Sequence, residues 1–216
     1  MPGRETISAR LAEPGVIAVV RAPRADLLPP LAEALWAGGI VAIEITLTVP
    51  DALGAIRATR ARLGDRVVVG VGSVVDAGSA RAALAAGAEF VVSPICRPEL
   101  VSLAHAAGKP VMLGAGTATE AQTVHEAGAD FVKVFPADVL GPAFIRALRA
   151  PLPHLRIVPT GGVDLDTLTA FVQAGSVAVG VGSSLTTKPI LAAADWPALT
   201  RLAVQFVAAM RAARGR

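Results

Sequence analysis

Lys133 sits at the centre of the apolar run Phe131-Val-Lys-Val-Phe-Pro136, and it is one of only three lysines among the chain's twenty basic residues. An ammonium inside a β-branched and aromatic strand loses hydration, which favours the neutral amine, a nucleophile toward carbonyls. The competing arrangement is an edge-strand lysine whose stem lies along the sheet while its head reaches water. Glu44, between Ile43 and Ile45, poses the same problem with the opposite charge. A buried ion pair adds little net stability, because desolvation offsets most of the attraction. A Glu44–Lys133 pair that merely fills a core is therefore a weaker explanation than a functional one. An amine beside a carboxylate in apolar surroundings is what Schiff-base chemistry on a ketone needs: the amine attacks and the carboxylate moves protons.

For these two groups to meet, their strands must face one interior. Eight short β-branched runs, 16–21, 40–46, 67–73, 90–93, 111–114, 130–135, 156–160 and 177–181, alternate with amphipathic Ala/Leu-rich stretches. Those stretches include DLLPPLAEALWAGG, DALGAIRATRARLG, AGSARAALAAG, RPELVSLAHAAG, TATEAQTVHEAG and DLDTLTAFVQAG. A repeated βα unit forms a parallel sheet. The junctions AGG, AGA, AGA and AGS place Gly38, Gly87, Gly128 and Gly175 ahead of every second strand, at intervals of 49, 41 and 47 residues. Glycine there suits a left-handed helix stop. The pattern predicts an α/β fold, a (β/α)8 TIM barrel, with residues 5–13 as a short extra N-terminal helix and residues 1–216 as a single barrel domain. A doubly wound sheet is the alternative, but it needs a glycine fingerprint after the first strand, and VVRAPRAD offers none.

Alternation across a strand puts Ala42, Glu44 and Thr46 on one face of the second run, and Phe131, Lys133 and Phe135 on one face of the sixth. Arg21, Ser73 and Thr160 each close their own run. In a closed barrel one parity points inward and active sites collect at the C-terminal mouth. Arg21, Glu44, Ser73, Lys133 and Thr160 are expected to converge there. Thr160-Gly161-Gly162 ends the seventh run and Gly180-Val-Gly182-Ser183-Ser184 ends the eighth, where barrels gather backbone N–H groups around phosphate. Either piece alone fits a tight turn equally well; their joint position favours phosphate binding.

Composition narrows the partners. The 216 residues, 53% of them hydrophobic, suffice for a sizeable core. No apolar stretch approaches the roughly 18 residues of a membrane span, and the start MPGRETISARLAEPG has no signal-peptide h-region. A cytoplasmic protein that engages no membrane is expected. A net charge of +3 and a pI of about 9.7 admit a polyanion partner. The arginines are scattered, however, apart from the C-terminal RAARGR, and 4% aromatics with no tyrosine leave no stacking platform. Nucleic acid is not an expected partner. A lone cysteine, Cys96, cannot form an internal disulfide and reads as a passive small apolar residue near the mouth. No Cys/His spacing suits zinc, so no metal is expected. His105, His125 and His154 show no paired-carboxylate spacing and read as incidental, and Trp36 and Trp196 read as helix-packing residues.

The segments Ile43-Glu-Ile-Thr46, Gly70-Val-Gly-Ser73, Val92-Ser-Pro94, Lys133-Val-Phe-Pro-Ala137, Pro159-Thr-Gly-Gly-Val163 and Gly180-Val-Gly-Ser183 occur in this order. In them, and over nearly the whole chain, the sequence resembles the 2-keto-3-deoxy-6-phosphogluconate (KDPG) and 4-hydroxy-2-oxoglutarate (KHG) aldolases. The resemblance implies a class I aldolase, a carbon–carbon lyase on a (β/α)8 barrel that needs no metal or cofactor. It also implies a homotrimer, a phosphorylated 2-keto acid and pyruvate as small-molecule partners, and a place in Entner–Doudoroff carbohydrate metabolism. Carried onto this chain, it implies Lys133 as the Schiff-base residue and Glu44 as general acid and base. Ser73 and Thr160 would contact the pyruvoyl part or the hydroxyls, and Gly161, Gly162, Gly182 and Ser183 the phosphate.

Three positions depart from the pattern. Thr48 stands where some members carry an arginine that grips the substrate carboxylate, and Arg21 is the candidate replacement, since its fork suits a carboxylate. Ser73 replaces the more usual threonine of GAGT, and Leu113 replaces a proline. The expected reaction is cleavage of KDPG to pyruvate and glyceraldehyde 3-phosphate, with KHG cleaved to pyruvate and glyoxylate as a further activity. The galactonate epimer of the substrate is one alternative, and a phosphate-binding barrel isomerase or epimerase is another. A barrel serving only as an oligomeric scaffold would leave Glu44 and Lys133 without purpose.

Overall fold

From β1 to β8 strands and helices alternate along the computed structural model, which describes residues 3–215. Met1, Pro2 and Arg216, which bound the expected domain and complete the C-terminal basic cluster, lie outside the described residues. The strands are β1 (Val16–Val20), β2 (Ala42–Thr46), β3 (Val68–Gly72), β4 (Val91–Val92), β5 (Val111–Ala115), β6 (Phe131–Val134), β7 (Ile157–Pro159) and β8 (Val179–Val181). Helix α1 (Arg4–Ala12) precedes β1, matching the expected extra helix. The helices after the strands are α2 (Leu28–Ala37), α3 (Ala52–Leu63), α4 (Ala77–Ala85), α5 (Glu99–Ala106), α6 (Ala118–Glu126), α7 (Ala137–Arg149) and α8 (Leu168–Gln173). A short α9 (Lys188–Ala193) and a long α10 (Trp196–Ala213) end the chain. No described helix is long and apolar enough to cross a membrane.

All strand pairs are parallel, in the order β7-β6-β5-β4-β3-β2-β1-β8. The ends of that ribbon meet through a parallel bridge between Thr160 and Gly180 and through the Val177 N–H, which donates to the Ile157 carbonyl at 2.9 Å. The sheet thus closes into the expected (β/α)8 barrel, and the doubly wound alternative is excluded.

Side-chain parity divides the core in two. Ile17, Ala42, Val68, Phe90, Met112, Phe131, Val158 and Ala178 fill the lumen, joined from below by Ile7 and Leu11 of α1. Ile43, Ile45, Val69, Val71, Val132 and Val134, on the opposite parity, pack outward with the helices. Helix α1 therefore plugs the N-terminal end of the barrel with its two fully buried aliphatic side chains. Arg214, just past α10, ties that plug down by donating to the carbonyls of Ala12, Glu13 and Val177. The lower lumen is dry and filled; only the upper lumen is left for polar groups.

Several local expectations shift by a residue or two. Arg21, Ser73, Phe135 and Thr160 lie just past the last residue of their strands, where the chain turns away at the mouth. Gly87, Gly128 and Gly175 take the left-handed conformation with φ near +98°, at +99°, +97° and +99°. At the first junction that role falls to Gly39 (φ +90°) instead of Gly38. Gly38 is needed for a different reason: a β-carbon there would come within 2.4 Å of the Ala203 β-carbon, where α10 crosses α2. Trp196 packs against the outer core, while Trp36 is 38% exposed under the Arg66 guanidinium.

The turn into β4 buries one carboxylate of structural consequence. Glu89 accepts the Val69 N–H at 3.1 Å and Arg60 Nη1 at 2.7 Å. Burial nonetheless raises its carboxyl above the ordinary 4.5, with the Val69 N–H and the Arg60 charge opposing the rise. A folded state that holds a proton more tightly than the unfolded chain gains stability at low pH and loses it as pH climbs through the raised value. Glu89→Gln removes the titrating group. Urea midpoints measured across the acidic range should fall less steeply above pH 4.5 in this variant than in the parent, and an identical slope would rule Glu89 out as its source.

Candidate active site

Lys133 and Glu44 are each the third residue of their strand, on the luminal parity, with only 4% and 2% of their surface exposed. Lys133 lies in register with Gly114 of β5 and Val158 of β7, and Glu44 with Val19 of β1 and Gly70 of β3. Strands β2 and β6 stand four apart in a ring of eight, so the two side chains reach toward each other across the barrel. Lys133 Nζ lies 3.8 Å from Glu44 Oε1 and 5.4 Å from the Phe135 ring centroid.

Glycines make the room for this pair. A β-carbon on Gly72 would lie 1.9 Å from Glu44 Oε1, one on Gly114 would lie 2.1 Å from the Pro94 carbonyl oxygen, and one on Gly180 would lie 2.4 Å from Thr160 Oγ1. All three occupy luminal positions in the upper half of the barrel. Gly72 and Gly114 received no role from the sequence, although the alternation Gly70-x-Gly72 on the parity of Glu44 is the signal that points to them.

Above the pair a cavity of about 60 Å³ opens, lined by Arg21, Thr160, Gly161, Gly162, Gly182 and Ser183, with Val19, Phe135, Val163 and Ser184 completing its wall. The last four were not among the expected site residues. Phe135 connects this cavity to Lys133. Among the described residues, the backbone N–H groups of Gly162, Ser183 and Ser184 have no acceptor, so the cavity presents donors without matching acceptors. Gly161 and Gly162 turn with φ of +95° and +68°, a conformation that glycine adopts without the cost a β-carbon brings.

The loop beneath them is held by Asp164, whose Oδ1 accepts from the Thr167 hydroxyl and the Thr167 N–H, both at 2.8 Å. These bonds, the hydroxyl first, hold the Asp164 carboxyl below its ordinary range. On the opposite wall the Ser184 hydroxyl donates to the Val163 carbonyl, joining the two glycine loops.

The outer rim explains Thr48. Its hydroxyl lies 2.7 Å from that of Thr46, and Thr46 Oγ1 donates to the Val20 carbonyl at 3.2 Å. The two threonines pin the end of β1 that presents Arg21. Ser73, like Lys133 and Glu44, is not among the residues that line the glycine cavity, and unlike them it is off the luminal parity. It adopts φ +62°, one residue beyond luminal Gly72.

Burial, followed by the charges of Glu120 and Glu99, pushes the Cys96 thiol up, which keeps it protonated and a poor nucleophile. The histidines gather at the far end of the barrel. His105 has a carboxylate partner that spacing did not reveal, with Nε2 at 3.0 Å from Asp130 Oδ2. Chemically, the mouth pairs an amine and a carboxylate with an anion cradle one side chain away.

Known proteins resemble this chain in sequence and in fold. The family model described as "Aldolase: KDPG and KHG aldolase" matches residues 7–202. The 2-dehydro-3-deoxy-phosphogluconate aldolase of Treponema pallidum is 39% identical over 201 residues, covering 93% of this chain and 95% of that protein. The 2-dehydro-3-deoxy-6-phosphogalactonate aldolase of Escherichia coli is 34% identical, covering 79% and 83%. The KDPG aldolase of Legionella pneumophila, solved with pyruvate captured at low pH as a covalent carbinolamine intermediate, superposes with a TM-score of 0.83 at 28% identity, covering 91% of this chain and 96% of that one.

The contact between Gly72 and Glu44 is open to direct test. Gly72→Ala must displace the carboxylate, and overpacking of this kind costs roughly 1–3 kcal/mol. Chemical denaturation should register that loss, and a variant as stable as the parent would show that Glu44 has another place to go.

Proposed function

The chain belongs to the KDPG and KHG aldolase family, and on that premise we propose that it cleaves KDPG to pyruvate and glyceraldehyde 3-phosphate through a Schiff base on Lys133. KHG, cleaved to pyruvate and glyoxylate, is the second substrate. The observation that carries this is the buried Lys133–Glu44 pair, 3.8 Å apart beneath a donor-lined cavity. A barrel isomerase has use for such a cavity but not for an amine at this depth.

Transfer of a proton from Lys133 to Glu44 across the gap frees the amine lone pair. The amine attacks the C2 ketone to give a carbinolamine, and Glu44 passes its proton to the departing hydroxyl, so that water leaves, the iminium forms and the carboxylate is restored. Glu44 then takes the C4 hydroxyl proton as the C3–C4 bond breaks. The bonding pair flows into the iminium, forming an enamine, and the aldehyde departs with its phosphate. Protonation of the enamine at C3 and hydrolysis by water release pyruvate and restore Lys133. Thr160 serves the pyruvoyl end, and the N–H groups of Gly161, Gly162, Gly182 and Ser183 hold the phosphate. Ser73 belongs to the same set as a hydroxyl that the substrate must draw in.

Arg21 grips an anionic end of the substrate. It stands in the wall of the glycine cavity, within reach of the phosphate, whereas the sequence made it the candidate for the carboxylate in place of the arginine absent at Thr48. The galactonate epimer stays in play because the E. coli phosphogalactonate enzyme is among the similar proteins. A homotrimer, a cytoplasmic location and an Entner–Doudoroff role go with this function. Exposed apolar side chains on the mouth-side loops and α7, among them Val75 (45%), Ile95 (47%) and Val139 (78%), support self-association, which sedimentation equilibrium would decide.

Borohydride treatment with pyruvate should leave a pyruvate-sized adduct on Lys133, seen by intact mass and peptide mapping. Lys133→Ala should lose both adduct and cleavage, and full cleavage by that variant would overturn the mechanism. Glu44→Gln should cut kcat by about 10²- to 10⁴-fold, the usual worth of a general acid–base. Arg21→Ala should lower kcat/KM for KDPG by about tenfold or more, since hydrogen bonds to charged groups contribute roughly 1.5–3 kcal/mol. If Arg21 serves the phosphate, KHG, which has none, is spared; if it serves the carboxylate, both substrates suffer equally.

A further inference from the structure

The closed end of the barrel carries a second cavity, of about 270 Å³, unconnected with the chemistry above. Its wall includes Arg4 from α1, His125 from the last turn of α6, Asp130 at the foot of β6, and His154 and Arg156 from the segment entering β7. The two imidazoles lie with centroids 4.5 Å apart and planes tilted by 50°, and the Arg156 guanidinium lies 4.2 Å from the Phe131 ring centroid. Four basic side chains thus surround one space with a single carboxylate among them.

That carboxylate is already committed. Asp130 Oδ2 accepts the Val111 N–H at 2.9 Å and faces His105 Nε2 at 3.0 Å, while Oδ1 takes the Ser8 hydroxyl at 3.4 Å and lies 3.7 Å from Arg4 Nε. Arg156, by contrast, makes one long bond, from Nη1 to the Asp130 carbonyl at 3.4 Å. Its other N–H groups have no acceptor among the described residues, and neither ring nitrogen of His125 has a hydrogen-bond partner there. Arg4 Nη1 meets the His105 ring at 2.8 Å and His154 Nε2 lies 3.0 Å from Gln122 Oε1, so the unused donors are those of Arg156 and His125, in a cavity poor in acceptors, the inverse of a cation site. Arginine's fork matches oxyanions in pairs of bonds. The donors come from three separate segments and do not share one plane, which suits a tetrahedral phosphate better than a flat carboxylate.

We propose that this cavity binds the phosphate group of a small metabolite through Arg4, His125, His154 and Arg156, at the end of the barrel opposite the mouth. Phe131, on which Arg156 stacks, is the luminal neighbour of Lys133 on the same strand. Occupancy would be felt at the foot of the catalytic strand.

The chain's three histidines provide reporters that are blind to the mouth, because none lines the glycine cavity. Imidazole carbon–proton resonances would be followed while the full chain is titrated with inorganic phosphate, and separately with succinate. Saturable movement of His125 and His154 by phosphate is expected. Arg156→Gln, a change at an exposed side chain, should weaken it by about tenfold, from the loss of charge-assisted bonds. His154→Asn, on the exposed loop before β7, should weaken phosphate binding as seen at His125. Overturning results are resonances that do not saturate with phosphate, that respond only to succinate, or that respond to phosphate equally in the parent and Arg156→Gln.

Discussion

A carboxylate and an ammonium meet across the lumen of a barrel whose other contents are almost entirely apolar, and the rest of the architecture follows from keeping them there. Glu44 and Lys133 come from strands on opposite sides of the ring and lie 3.8 Å apart with almost no exposure. Water would screen the pair and compete for both groups; a filled lumen excludes it. The pair is poor value as a source of stability, because removing two charges from water costs about as much as their attraction returns. Its retention makes sense only if the neutral amine and the proton-carrying carboxylate are used.

The two halves of the lumen divide the work. Below, Ile17, Phe90, Met112, Phe131 and Val158 fill the barrel, and α1 seals it with Ile7 and Leu11. Above, luminal glycines hollow it, so that Glu44 can lie over Gly72 and Thr160 over Gly180. Large side chains on one layer and absent ones on the next turn the same strands from packed core into reaction vessel. The positive-φ turns at Ser73, Gly161 and Gly162 lie at the upper edge, where strands give way to loops and strain is tolerated in exchange for aimed N–H groups.

The same logic separates the two proposed anion sites, one at each end of the barrel. At the mouth, donors are backbone amides on loops held by Asp164, Thr167 and Ser184. At the closed end, donors are side chains of Arg4, His125, His154 and Arg156 gathered from elements far apart in sequence. Amides on a braced loop cannot be retuned by single substitutions, whereas a side-chain cluster can, which suits the first to a fixed chemical step and the second to adjustable binding.

Much of this was legible without coordinates. Two charges buried in apolar runs, alternation that put Glu44 and Lys133 on the luminal parity, and glycine pairs after the seventh and eighth runs are local facts, and local periodicity decides which face a side chain takes. What the chain alone determined is therefore the element order, the inward parity and the chemistry of the central pair. Tertiary structure alone decided the rest, because each point turns on the distance between segments remote in sequence. It closed β8 on β7, set Arg21 in the wall of the glycine cavity, put the left-handed turn at Gly39, and brought α10 across α2 at Gly38. It also turned Ser73 away from that cavity and gave His105 its partner in Asp130, 25 residues away.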